Sequence, residues 1–451
     1  MDVASQTIMA NPGGGTLSES TLIPTLVGAL EGSISVLLTL FSGFVMAKIG
    51  YLDHKSVRHI TKLCTNLFLP CLIIEAMGPD LTLTHLSKDW IIPIWGLAST
   101  LLAHAIGYVG HRVMKLPYWT IAACGRPNSN VLPLLLLQSL DSSGVLGAIS
   151  RDGEGSSTLL RRAKSLILLN AVVQQTFTFQ LVPGIIARDK PADEDAVERQ
   201  GGGQDRLRPG PGRINPALHN AERVGLLDDI DHHPEDSDDS ERTRTGDAYR
   251  HALDGIADRP DYHWPHRLQF LENPVKNVAK HVSPVLLSAV VAFIIGATPP
   301  LHHAILDEDG VLYSSLTQSI INLGELFVAL QAFTVGAELA LVKSSDPGKL
   351  PTVWVLFVRF IVMPGLALLF VFLSAGRGLY VDDLLVWFLL VLIPAGPSAM
   401  LLVSVAELVN VDQGEIAGYL TVSYLFSPLM ALVCSSGLSV VATVAKRVPG
   451  M

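Results

Sequence analysis

The chain has 451 residues, 49% of them hydrophobic and 16% charged, with a formal net charge of −9. Soluble domains carry nearer a quarter of their residues as charges, so the composition points away from a soluble protein and toward a polytopic helical one in a lipid bilayer. The acids concentrate between residues 189 and 272, so the negative balance describes one segment; it says nothing of a basic partner, and no nucleic acid is expected.

Residues 1–21 are small and polar and contain no Lys or Arg. They lack the basic start of a cleavable signal peptide, so the first helix is expected to be its own insertion signal. A spanning helix needs about 20 mainly apolar residues. Ten stretches qualify, at roughly 23–48, 57–78, 90–112, 118–140, 164–187, 279–300, 315–341, 352–375, 382–407 and 414–444. They divide the chain into a five-helix repeat over 1–187, a loop over 188–275 and a second five-helix repeat over 276–451. The loop contains GGGQ, RPGPGR and DDIDHHPEDSDDSE. It cannot bury enough apolar area to offset its ordering entropy and is expected to be disordered, save for a short helix near Ala217–Leu227. Ser237 and Ser240, followed by acids, suit an acid-directed kinase; the plainer reading is a solvated spacer.

Five spans per half make the halves run oppositely across the bilayer, the plan of an inverted repeat. Transporters of that plan bind at the midplane between interrupted helices in matching positions. The fourth span reads AACGRPNSNVLPLLLL and the ninth LVLIPAGPSAMLLVS. Gly125, Pro127 and Pro133 answer to Pro394, Gly396 and Pro397. The fold class expected is therefore all-α, with ten transmembrane helices in two inverted five-helix repeats and broken, crossing helices 4 and 9.

A proline removes a backbone donor and blocks the carbonyl one turn earlier. Within a bilayer such breaks survive only inside protein or beside a watery cavity. Each break creates a half-helix N-terminus with free N–H groups and about half a positive charge, able to hold a carboxylate. Asn128, Ser129 and Asn130 after Pro127, and Ser398 after Pro397, could cap these ends or bond a ligand. Arg126 could attract the same anion, reach for the interface or pair with an acid. Pro70, one turn after Asn66, should kink the second span.

Ionisable residues at membrane depth are functional candidates by default. Here they are Glu31, Glu75, His104, Glu325, Glu338, Arg359 and Glu407. Glu325 and Glu407 are the better candidates for coupling to a proton, and Arg359 is a candidate partner for one of the acids. Asn322 and Gln331 in the seventh span, and Asn170, Gln174 and Gln175 in the fifth, could line a cavity or join helices. Cys64, Cys71, Cys124 and Cys434 lie in apolar stretches without a CxxC, as small buried hydrophobes do. No HExxH-like set or nucleophile–base pair lies at membrane depth, so no enzyme, cofactor or metal is expected. Flanking Lys and Arg divide evenly between the two sides, so charge leaves the orientation open.

Four blocks carry a family resemblance: LEGSISVLLTLFSGFVMAKIGYLD in the first span, KLCTNLFLPCLII in the second, RPNSNVLPLLLLQSL in the fourth, and PAGPSAMLLVSVAELVNVDQGE before the last. Together they resemble the auxin efflux carrier superfamily, especially its PIN-LIKES branch and fungal relatives. That resemblance implies a scaffold and a transport domain, elevator-like movement of indole-3-acetic acid or a similar carboxylate, frequent dimers, a cytosolic central loop, and residence in the endoplasmic reticulum rather than the plasma membrane. It also implies that Asn128 is the substrate-contacting asparagine and that Pro127, Pro133, Pro394 and Pro397 are crossover positions. Arg126, Asn130 and the Pro-Ala-Gly-Pro wording depart from the plant carriers.

Overall fold

The computed structural model describes residues 22–79, 87–151, 154–189, 284–409, 411 and 413–448. Among them the regular elements are all helical. Six helices are long and apolar enough to cross a membrane, or eight if two bent pairs are each one span. The proposed short helix at 217–227, Ser237 and Ser240 lie outside the described residues.

The first span is α1 (Leu22–Lys48). The second is α2 (His54–Leu63) and α3 (Leu69–Met77), joined by a π turn at Cys64–Phe68. The turn answers Pro70: the ring would clash with the carbonyl four residues back, and widening the helix by one residue relieves it. The third is α4 (Ile91–Met114), the fourth α5 (Trp119–Gly125) and α6 (Val131–Ser142), the fifth α7 (Ser156–Ile186). The fifth bends by 43° ahead of Pro183.

The second half holds α8 (Pro284–Ala297) and α9 (Pro299–Ile305), then α10 (Gln318–Leu341). The sixth span thus stops three residues short of the predicted end, because Pro299–Pro300 open a new helix turned by 101°. The eighth span is α11 (Lys349–Phe357) and α12 (Met363–Ser374), with a π turn at Val358–Val362 ahead of Pro364. The ninth is α13 (Leu384–Leu392) and α14 (Leu401–Leu408). The last was expected as one helix, but Pro428 sits in a 3₁₀ turn, Ser427–Leu429, dividing α15 (Gly414–Leu425) from α16 (Met430–Ala445).

The first span packs along the seventh, α1 on α10, and the second packs on both α8 and α10. Two glycines permit the first of these approaches. A Cβ on Gly43 would stand 1.9 Å from the Phe333 carbonyl oxygen, and one on Gly336 1.8 Å from that of Leu40. Small residues let backbones meet where lipid offers no hydrophobic drive. The third span lies on the fourth and fifth, and α13 lies on α12 and α16. In the broken spans, α5 lies on the third span while α6 packs on α1 and α10; α5 and nearly all of α13 are buried, as is the ninth-span break from Ile393 to Met400.

Candidate functional site

Each broken span starts at a carboxylate. Asp189, at the end of the fifth span, accepts the backbone N–H of Tyr118 at 2.8 Å and of Trp119 at 2.6 Å. Asp383 caps α13 by accepting from the Val386 N–H at 3.1 Å. The same carboxylate takes Arg162 Nη1 at 2.7 Å and Arg151 Nε at 2.6 Å, while Arg162 also holds both oxygens of Glu154 at 2.8 Å. The start of the ninth span is thereby tied to the start of the fifth.

The two breaks meet. Pro127 and Ser398 pair as an isolated antiparallel bridge. The Asn128 N–H donates to the Pro397 carbonyl at 2.9 Å, and the Ala399 N–H to the Arg126 carbonyl at 3.1 Å. Backbone groups freed by the prolines thus satisfy each other across the crossing, as a dry interior requires. Gly396 has φ +89°, a conformation other residues adopt only with strain. Pro133 is the third residue of α6, where the missing N–H costs no helical bond.

The polar side chains divide into structural and accessible ones. Ser398 is fully buried; its Oγ donates to the Ala123 carbonyl at 2.6 Å and lies 2.8 Å from the Tyr419 hydroxyl. Tyr419 continues to Ser423 and packs against Trp119, whose Nε1 donates to Glu415 at 2.9 Å. Ser129 is buried, 3.4 Å from Arg126 Nη1, and Arg126 is itself only 3% exposed. Asn128 and Asn130 are half-buried. Asn128 Nδ2 donates to the Tyr424 hydroxyl at 3.0 Å, and Asn130 Nδ2 reaches Gln175 at 3.5 Å. Neither Asn130 nor Ser129 caps α6 through a side chain. Pro394, Gly396, Pro397 and Ser398 are all buried, so the solvent-facing part of the crossing belongs to the fourth span.

Arg359 departs from the expectation that it pairs with an acid. It is fully buried, and its guanidinium takes three main-chain carbonyls: Gly396 at 2.9 Å, Ala395 at 3.0 Å and Cys124 at 3.5 Å. Glu325 is exposed on α10. Glu75 is partly buried with one oxygen unpartnered, within electrostatic reach of Lys164, Glu325 and Arg161. The Glu407 side chain lies outside the described ones. Glu31 is exposed, and Glu338 accepts from Thr61 at 2.8 Å. His104 bonds the Thr100 carbonyl through Nδ1 at 2.8 Å. Gln174 joins helices through the Gly96 carbonyl at 3.3 Å, whereas Asn170 is buried without a partner for either amide atom. All four cysteines are buried thiols.

A family model described as "Membrane transport protein" matches residues 29–435, both halves and the crossing included. The chain belongs to that family. It is the family of the auxin efflux carriers, and the protein is an integral membrane transporter. PIN-LIKES 5 of Arabidopsis thaliana is 22% identical over 82% of this chain and 86% of its own length. PIN-LIKES 6 of the same plant is 24% identical over 88% of each chain. An uncharacterized transporter of Schizosaccharomyces pombe is 29% identical over 25% of each.

Sequence reasoning missed the aromatic support of the transporter's crossing. Tyr419 and Tyr424 carry no signature beyond their positions on the tenth span. The partners of Arg359 are carbonyls, which every residue possesses, so no motif could announce them.

Proposed function

We propose that the transporter carries a small organic anion, an auxin-like carboxylate such as indole-3-acetic acid, by alternating access at the crossing of the fourth and ninth spans. The observation behind this reading is the pair of hydrogen-bonded breaks joining Pro127 to Ser398, flanked by the buried Arg126. The half-helices α6 and α14 begin just after the two breaks, and a helix N-terminus carries a positive dipole end. Arg126 adds a full positive charge, and in low dielectric that charge acts strongly on a carboxylate. Asn128 and Asn130 are the half-buried polar groups beside it and would orient the solute. Membership of the auxin efflux carrier family supports the choice of an auxin-like solute, and residence in the endoplasmic reticulum is proposed from the resemblance to the PIN-LIKES branch.

The test is flux of radiolabelled indole-3-acetate into proteoliposomes. Wild type should exceed empty vesicles, and Asn128→Ala should lose most of that excess. Equal flux in the two proteins removes the site; no flux above empty vesicles removes this solute.

A second reading, coupling to protons, draws on Glu75, Glu325 and Lys164. Clustered ionisable groups within a membrane are the material of proton relays. Flux that follows an imposed pH gradient in wild type and not in Glu75→Gln supports it.

A further inference from the structure

Helix C-termini leave their last carbonyls without intrahelical partners and carry about half a negative charge. In transporters with interrupted spans, such carbonyls are where a coupling cation binds. Here two of these ends, those of α5 and α13, converge on one side of the crossing. Several carbonyls at the end of α5 and in the break that follows α13 are already engaged. Arg359 takes Gly396, Ala395 and Cys124; Ser398 Oγ takes Ala123; the Arg126 N–H takes Ala122 at 2.9 Å.

The geometry points to Arg359 as a tethered cation that occupies the place of a coupling sodium ion, so that solute crosses here without sodium. Three features carry this. The guanidinium is fully buried, and it donates to main-chain carbonyls from both broken spans, with no carboxylate bonded to it among the described residues. Its planar fork reaches the adjacent Ala395 and Gly396 with two donors while a third spans to Cys124, which a lysine ammonium on a point contact could not reproduce. The π turn Val358–Val362, set by Pro364, places Arg359 on the widened part of the eighth span. A mobile cation entering the same cage would meet a fixed positive charge in low dielectric and find its ligands taken.

The inference refines the coupling side of the proposed transport, but its test needs no solute. Full-length protein in detergent is unfolded thermally in sodium chloride and in choline chloride of equal ionic strength. Wild type should unfold at one temperature in both. Arg359→Ala should unfold several degrees lower in choline, and sodium or methylguanidinium, well below denaturing concentration, should restore part of the loss by entering the vacated cage. Arg359→Lys keeps a charge there and should show no sodium response. A saturable sodium stabilisation of wild type overturns the inference. So does an Arg359→Ala protein whose midpoint is the same in every cation. If Arg359→Ala does not fold, wild type and Arg359→Lys still decide, because sodium stabilisation of either refutes a filled site. Absence of indole-3-acetate flux would leave this result standing, whereas flux driven by a sodium gradient would remove it and spare the anion reading.

Discussion

Asp383 is the joint between the fifth and ninth spans, and removing its carboxylate should loosen the crossing from one end. Asp383→Ala takes away an N-cap, costing about 1 kcal/mol. It also takes one partner from Arg162, whose side chain is 15% exposed against 1% for Asp383. Breaking a buried pair costs about 3–5 kcal/mol when the remaining charge is stranded. Arg162 is not stranded, because Glu154 still holds it by two bonds of 2.8 Å, so about half of that range is expected. The total is about 3 kcal/mol, which at 2–4 °C per kcal/mol for a large domain lowers the unfolding midpoint by roughly 6–12 °C. Arg151 is 55% exposed and bonds the same Asp383 oxygen; exposed pairs contribute about 0–1 kcal/mol. The assay is fluorescence-detected thermal unfolding of Asp383→Ala, Arg162→Ala, Arg151→Ala and the Asp383/Arg162 double variant. The expected order is Arg162 and Asp383 large and coupled, Arg151 small. An Arg151→Ala loss equal to that of Arg162→Ala, or strict additivity in the double variant, would refute the argument.

Gly336→Val should abolish accumulation of folded protein, since even a Cβ there would stand 1.8 Å from the Leu40 carbonyl and 2.9 Å from its Cα; size-exclusion yield checks it, and a monodisperse wild-type-like peak would contradict the close approach. Glu154 supplies the pH dependence. Burial acts to raise its carboxyl, yet the Arg162 bonds, the Arg151 N–H and the two guanidinium charges together hold it below the ordinary value of 4.5. A depressed folded value stabilises the protein above about pH 4.5 and loses that contribution as pH falls through the folded value. The midpoint gap between wild type and Glu154→Gln should therefore be present at neutral pH and close under acid.

The helical spans were legible because a bilayer demands long apolar runs, and the breaks because Pro and Gly interrupt such runs for few reasons other than function. The all-helical membrane architecture and the interruptions at Pro127 and Pro397 follow from those two constraints, while the structure shows six to eight of the ten expected spans as long apolar helices. What stayed hidden is specific to contact. Pro299–Pro300 continue an apolar run, so hydropathy extends the sixth span past the point where the backbone turns by 101°. Pro428 looks no different from Pro364 in sequence, yet one ends α15 and the other is absorbed by a π turn. Arg359 was visible as a membrane-depth charge, and the habit of seeking an acid for every buried base pointed it at the wrong partner.

The charges around the crossing also sort by sign in a way that the breaks alone do not require. Arg359 holds the Cys124 carbonyl of α5 and the Ala395 and Gly396 carbonyls of the break after α13, all of them buried residues. The N-cap residue of α6, Asn130, makes no side-chain cap bond, and Arg126 lies at the same break, 3.4 Å from Ser129. On the proposed reading, this asymmetry of sign at the crossing favours an anion as solute. On that reading selectivity among anions falls to Asn128 and Asn130, which are half-buried, whereas Pro394, Gly396, Pro397 and Ser398 are buried. A change of preferred solute between relatives is therefore expected to track the fourth-span residues after Pro127, and the sign of the transported charge to track Arg359 and Arg126.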